Sequence, residues 1–219
     1  MAKSDARKRI ILAAGEVFAE KGFQAATVRQ ICQDAGVNLA AVNYYFGDKE
    51  RLYIETVRFA HRPDDEPDEL PEWPEGTPTE AKLRDFVTGL LTRMMGQRAP
   101  WQRQLMFREM LSPTVACREL VRTYIRARFD QLQQILAEVL PPETPVHQRH
   151  QIAFSIIGQV LHHHVAGEVV TLLVGEEERE AHYGLEELAD HITEFSVAAL
   201  GLGPPLSEAK DAISSHHVV

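Results

Sequence analysis

The residues best suited to a chemical role lie at 27–49, which read TVRQICQDAGVNLAAVNYYFGDK. Thr27 and Gln30 have the spacing of a capping box, in which each side chain satisfies a backbone N–H of the same turn, so we predict a helix start there. Gly36 suits the left-handed backbone of a turn, and Asn38 suits the cap of a second helix. The pattern predicts a helix-turn-helix, whose second helix reads the major groove of DNA.

The second predicted helix has an unusual outer face. Helical spacing places Leu39, Val42 and Phe46 on its inner stripe. The outer positions hold small residues that can approach thymine methyls, an amide that can bond a base edge, and phenols that can reach phosphates. These outer positions are Ala40, Ala41, Asn43, Tyr44 and Tyr45. A plain three-helix core with surface tyrosines remains the alternative interpretation.

Flanking helices must hold this motif in place. An apolar stripe at 10–18 predicts a first helix that ends at Gly22. Asp48 predicts the cap of a further helix that runs to about Ala60. Lys49 then lies beside a helix N-terminus, where free N–H groups suit a phosphate.

Four short motifs carry a family resemblance: FAEKGF at 18–23, GVN at 36–38, VNYYF at 42–46 and KERL at 49–52. Together they resemble the N-terminal domain of the TetR family of transcriptional regulators over about the first sixty residues. The resemblance implies DNA contact at Arg29, Asn38, Ala40, Ala41, Tyr44, Tyr45 and Lys49. Thr27 and Asn43 complete the set of candidate DNA-binding residues. Asn43 is a departure, since the family often has Tyr at that position.

The composition indicates an ordered protein of the cytoplasm. Of the 219 residues 44% are hydrophobic, enough to bury a core. The chain lacks both a run of about eighteen apolar residues and the apolar centre of a signal peptide, so we expect a cytoplasmic location and no membrane partner. Cys32 and Cys117 lack paired-Cys spacing, which fits a reducing compartment.

The net charge of −9 is unevenly distributed. Residues 1–60 contain nine Lys or Arg and seven Asp or Glu, whereas residues 61–219 contain fourteen and twenty-five. A basic head on an acidic body is oriented toward a polyanion and should bind it in a salt-dependent way.

The all-α class follows from helical periodicity without any strand pattern, and we expect about nine helices. Five prolines and seven acidic residues at 61–78 predict an exposed linker. We expect Trp73 to hold this linker to the body. A second interpretation is that the acidic segment competes with DNA for the basic head. Helix starts are predicted at Thr77-Pro78 and at Ser112-Pro113. The predicted domains are a helix-turn-helix domain (1–60), the linker (61–78), a ligand-binding and dimerisation domain (79–202) and a disordered tail (203–219).

Two long apolar stripes near the end of the chain need a partner surface. They could pack on the body of the same chain, but the TetR resemblance implies that the last two long helices pair with their copies in a homodimer. The predicted interface residues are Ile156, Val160, Leu185, Leu188, Ile192, Phe195 and Ala199.

A second resemblance concerns the body: residues 106–114, Ile157-Gly158 and Gly167-Glu168 look like the C-terminal domain of a TetR branch labelled CerR or YbiH-like. It implies a repressor that responds to a small molecule. The candidate effector pocket comprises Phe86, Met94, Trp101, Phe107, Met110, Tyr124, His162 and His163. For each of its aromatic or Met residues, ordinary core packing remains the alternative interpretation.

Three histidines in succession at 162–164 cannot converge on one ion because helical neighbours point about 100° apart. We therefore predict no metal and no cofactor, with an i, i+4 pair such as His164 and Glu168 left as a possible pair of ligands.

The chain also lacks a Gly-rich phosphate loop, GxSxG and HExxH, which argues against an enzyme. The predicted function is a homodimeric repressor of a palindromic operator, released by an effector; an interaction adaptor that retains only the fold is the alternative.

Overall fold

The computed structural model describes residues 2–62, 70–96 and 98–203. Every regular element in these ranges is helical, which confirms the all-α class. The described ranges contain twelve α-helical segments, and a π-helical turn, Val121–Ile125, joins α7 to α8 into one continuous helix. The predicted count of about nine helices is therefore roughly right. The helices are α1 (Ala2–Ala25), α2 (Val28–Ala35), α3 (Leu39–Phe46), α4 (Lys49–His61), α5 (Thr79–Met95), α6 (Pro100–Leu111), α7 (Val115–Leu120), α8 (Arg126–Ala137), α9 (Val146–Val165), α10 (Gly167–Val174), α11 (Glu176–His182) and α12 (Leu185–Ala199).

The described residues pack as two compact units. The first unit contains residues 2–62 and 98–126, and the second contains residues 70–96 and 127–203. Helices α6 and α7, which the sequence division assigns to the ligand-binding domain, therefore pack with the N-terminal helices. The predicted linker and tail include residues 63–69 and 204–219, which lie outside the described residues.

The core of the first unit is built mainly from α1, α4 and α6, on which α2 and α3 pack. Phe18 and Tyr53 are fully buried at its centre, with ring centroids 4.8 Å apart in an edge-to-face arrangement. Gly22 has a φ of 75°, which interrupts α1 near the residue where the sequence predicts its end. This core supports the helix-turn-helix from behind and leaves its outer face in solvent.

The core of the second unit comes from α5, α8, α9 and α12. Leu83, Leu132 and Ile192 are among its fully buried side chains. The Trp73 indole N–H donates to Asp85 Oδ2 on α5 at 2.9 Å, so this tryptophan does hold its segment to the unit, as predicted. Apolar burial, rather than the exposed ion pairs at its surface, provides most of the stability of such a unit.

Four of the seven predicted dimer residues are already covered by their own chain. Ile156, Val160, Leu188 and Ile192 are buried in the core of the second unit, so these side chains do not need a second copy for burial. Leu185 is half-buried, whereas Phe195 and Ala199 are exposed. An apolar stripe indicates that a helix face is buried, but it does not indicate whether the covering surface belongs to the same chain or to a second copy. This is why four of the predicted interface residues prove to be core residues.

Helix α10 leaves several large apolar side chains in water. Leu172 is 85% exposed and Leu173 is 78% exposed. The following helix, α11, is short and polar, and its Arg179 guanidinium donates to the Gly167 carbonyl at the start of α10 at 2.7 Å.

Within the described ranges no helix has the length and apolarity needed to span a membrane.

Candidate nucleic-acid interface

Local hydrogen bonds set the start of both helices of the motif. Thr27 Oγ1 accepts from the backbone N–H of Gln30 at 3.2 Å, and Asn38 Oδ1 accepts from that of Ala41 at 2.9 Å. Between the helices Gly36 has a φ of 63°, the left-handed conformation that glycine adopts without strain. The predicted N-caps and turn are therefore confirmed. The second half of the capping box is wrong, because the Gln30 side-chain oxygen accepts from the Lys21 ammonium at 2.6 Å and does not reach back to Thr27.

The two faces of α3 differ sharply in burial. Val42 and Phe46 are buried, as predicted, but Leu39 is 56% exposed, so its assignment to the inner stripe is wrong. A helix of two turns gives too few positions to determine the edge of its apolar stripe from spacing alone. The remaining candidates divide into exposed Ala40, Asn43 and Tyr44 and half-buried Ala41 and Tyr45, which pack on the core.

The other predicted contacts, Arg29 and Lys49, lie on the helices that precede and follow α3. Arg29 on α2 is exposed. The ammonium of Lys49 at the start of α4 donates to the Gln24 carbonyl at 3.3 Å and lies 4.8 Å from the centroid of the Phe23 ring. These contacts orient a half-buried lysine at a helix N-terminus, where the dipole and free N–H groups also favour an anion.

A buried carboxylate on α6 supports the helix that carries Lys49. Glu109 is 2% exposed and accepts from the Tyr53 hydroxyl on α4 at 2.5 Å. The same carboxylate accepts from the backbone N–H groups of Thr114 and Cys117, each at 3.1 Å. It thereby acts at the start of α7, which begins at Val115 and not at the predicted Ser112-Pro113.

The environment of Glu109 also governs the groups beside it. Burial, followed by the hydrogen bond to Glu109, raises the pKa of Tyr53, so the phenol stays protonated as the donor. Burial and the charge of Glu109 raise the pKa of the Cys117 thiol, and burial raises that of Cys32. Burial therefore favours the protonated thiol at both free cysteines.

Helix α6 also braces α1 at two points that the sequence analysis missed. Gly15 faces the ring of Trp101 so closely that an added Cβ would clash with the indole. The Arg108 guanidinium donates to the carbonyls of Ala19 and Glu20 at 3.3 and 3.2 Å, near the interruption at Gly22. Local patterns do not reveal these contacts because the partners lie more than eighty residues apart in the chain.

The predicted effector residues are split between the two units. Trp101, Phe107, Met110 and Tyr124 belong to the first unit, where Phe107 and Met110 are exposed and Tyr124 is buried in the core. The other four, in the second unit, are Phe86 in the core, Met94 packed on it, exposed His162 and half-buried His163. Neither unit by itself brings the eight residues together.

The second unit does contain a shallow cleft between α5 and α8 that is open to solvent. The predicted residue Phe86 lines it. Gly89 gives it an open wall, since nothing lies within 4 Å of an added Cβ there. Gln131 is largely buried, and its amide N–H donates to the Pro71 carbonyl at 2.7 Å. The remaining lining residues are Asp85, Leu90 and Arg128.

The histidine cluster makes ring-packing contacts within the second unit. The His163 ring lies 6.0 Å from that of Tyr183 and 5.5 Å from that of His162. Burial, followed by repulsion from His162, His191 and Arg179, lowers the pKa of His163. Among the described side chains no group of three or more His, Cys, Asp or Glu is arranged to hold a metal ion.

A capped pair of helices, braced from behind and presenting small, amide and phenolic side chains to solvent, defines a helix-turn-helix DNA-binding protein. Residues 10–56 match the family model of the tetR family of bacterial regulatory proteins. Residues 79–200 match that of the C-terminal domain of the HTH-type transcriptional dual regulator CecR. The chain therefore belongs to the TetR family, with a C-terminal domain of the CecR type, and is a DNA-binding transcriptional regulator and not an enzyme.

Individual relatives agree with this assignment. The dual regulator CecR of Shigella flexneri is 28% identical over 182 residues, which cover 78% of this chain and 80% of that protein. A mutant of HlyIIR with an internal linker has a TM-score of 0.61 at 22% identity and covers 88% of this chain and 97% of its own. NalD, the secondary repressor of the MexAB-OprM multidrug efflux pump in Pseudomonas aeruginosa, has a TM-score of 0.51 at 18% identity, with 90% and 95% covered. At these identities the two structures support the fold alone.

Proposed function

We propose that the protein is a homodimeric repressor that binds a palindromic operator and leaves it when a small molecule binds. The observation that carries the proposal is the exposed face of α3, where Ala40, Asn43 and Tyr44 lie together on a helix capped by Asn38. This face is too poor in charge for a helix meant only for water, and it suits close approach to a groove. Lys49 and Arg29, on the helices that flank α3 in the chain, supply the positive charge that phosphates require.

Fluorescence anisotropy with a labelled duplex from the region upstream of the protein's own gene tests the proposal. We expect saturable binding that weakens steeply with salt, and competition by the same duplex at far lower concentration than by random DNA. Equal competition by random DNA would contradict sequence-specific repression.

A dimer has a physical motive, because two heads can read half-sites spaced by about one helical turn of DNA. The exposed faces of α9 and α12 support this part of the proposal. Phe154 on α9 is 60% exposed and Phe195 on α12 is 44% exposed, although each belongs to a helix that packs into the core on its other side. We propose that these outer faces, with Ala199, form the interface, in place of the four predicted residues that the chain buries itself.

The cleft of the second unit is our proposed effector site. A screen for compounds that release the operator duplex would identify ligands, and Gly89→Leu provides the matching test because the added side chain fills open space. We expect Gly89→Leu to bind DNA normally but to lose the response to the compounds found. Gly89→Ala adds only a methyl group and should keep the response. An unchanged response in Gly89→Leu would place the effector elsewhere.

A further inference from the structure

Leu39 is the first residue of α3 and has no role in the core of its unit. More than half of its side chain is exposed, while Val42 and Phe46 fill the inner face of the same helix. Leaving a leucine in water forgoes the stabilisation that burial would give. The Leu39 side chain can therefore contact a partner that approaches the outer face of α3.

The neighbours of Leu39 identify that partner. Asn43 lies one helical turn further along the same face, and Ala40 is exposed beside it. The N-terminal residues of the second helix of a helix-turn-helix are those that contact base edges. Leu39 has no hydrogen-bonding group, and the apolar group that a base pair presents in the major groove is the C5-methyl of thymine.

We infer that Leu39 is a specificity-determining residue that packs on a thymine methyl in each half-site of the operator. This inference rests on the proposed operator binding. It assigns to Leu39 a preference for thymine over bases that lack a methyl group in the major groove. The prediction follows that the preferred half-site has a thymine at one position, repeated by symmetry in the other half.

The experiment removes each side of the contact in turn. Selection from random duplexes first defines the preferred operator, and each thymine is then replaced by deoxyuridine, which lacks only the methyl group. We expect one thymine whose replacement weakens wild-type binding about fourfold per half-site, the factor typical of burying one methyl-sized group. In Leu39→Ala the same replacement should have almost no effect.

Controls separate the possible outcomes. Leu111→Ala removes an exposed leucine of the first unit outside α3 and should keep the full methyl effect. Thermal unfolding should give both variants the wild-type midpoint, since each replaced side chain is largely in solvent. Equal methyl effects in wild type and Leu39→Ala, or no thymine with such an effect, would overturn the inference. Failure of the wild type to select any duplex would instead overturn the proposed function.

Discussion

The Tyr53 hydroxyl and the Glu109 carboxylate form a 2.5 Å hydrogen bond that joins α4 to α6 inside the core of the first unit. Glu109 also accepts from Thr114 and Cys117, so one buried carboxylate satisfies the start of α7 and orients α4. Lys49 lies at the N-terminus of that same α4. A polar contact deep in the unit is thus part of the support of a residue at the proposed DNA-binding surface.

Tyr53→Phe should test the strength of this contact. Removing the hydroxyl leaves the buried carboxylate with one donor fewer, and we expect a loss of about 1.5–3 kcal/mol in the free energy of unfolding, the usual value for a hydrogen bond to a charged group. Urea denaturation provides the measurement. Tyr45→Phe is the control, because no hydrogen bond of its hydroxyl is found within the described ranges, and it should change stability little. Equal stability of Tyr53→Phe and wild type would contradict a structural role for the bond.

Gly15→Ala should destabilise the first unit through sterics alone. The new Cβ would clash with the Trp101 ring, and overpacking of this kind costs about 1–3 kcal/mol. Gly89→Ala is the matched control, since it places the same methyl group in the interior of a helix where nothing lies within 4 Å. That variant should be stabilised by roughly 0.5–1 kcal/mol through helix propensity. Thermal unfolding of both proteins should give shifts of opposite sign.

Lys49→Ala should weaken DNA binding about equally for all sequences, because an interaction with a phosphate carries no base information. The slope of log K against log salt should become shallower by about 0.9 for each phosphate that is no longer neutralised. Lys82→Ala is the control for charge, since Lys82 pairs with Glu138 in the second unit at 2.7 Å. A steep slope retained in Lys49→Ala would exclude this lysine as a phosphate ligand.

Phe195→Glu should separate the proposed dimer into monomers. A charge placed at the centre of an apolar interface removes an aromatic anchor, and we expect the dimer dissociation constant to rise at least about thirtyfold. Analytical ultracentrifugation over a concentration series measures this change. Leu111→Glu makes the same kind of replacement at an exposed leucine of the first unit and should leave the mass unchanged. A dimer that persists in Phe195→Glu would exclude the outer face of α12.

Acid should destabilise the second unit partly through His163. The pKa of His163 is lowered in the folded protein, so the unfolded chain binds its proton more readily and stability is lost as the pH falls below about 6.5. His163→Gln should therefore lose less stability than wild type between pH 7.5 and pH 5, measured by urea unfolding at each pH. His147→Gln, at an exposed site near the start of the same helix, should follow wild type.

The helix-turn-helix was predictable because its signals are local. Thr27, Gly36 and Asn38 act on backbone groups within three or four residues, so residue type and spacing were sufficient. Leu39 was misassigned because two helical turns cannot show where an apolar stripe ends. The predicted start of α7 is too early because Thr114, and not Ser112, caps the helix, and the Thr114 hydroxyl also donates to Glu109 of the preceding helix.

The body was less predictable because its contacts are distant in sequence. Periodicity correctly marked Ile156 and Ile192 as buried, but it could not distinguish packing within the chain from packing between copies. The candidate effector residues were chosen by side-chain type, which gives no information about which compact unit a helix joins. The sequence does not reveal the role of Gly89, because the open space beside it exists only once the surrounding helices are packed.

The two exposed leucines of α10 bear on how the protein behaves in concentrated solution. The acidic residues 176–178 at the start of α11 follow Leu172 and Leu173 after two intervening residues. Charges that flank an unavoidable apolar surface act as gatekeepers, because repulsion between molecules keeps such surfaces from meeting. High salt screens this repulsion and acid neutralises it. We therefore expect the colloidal solubility of the protein to fall at high ionic strength and at acid pH, even where the fold itself is unaffected.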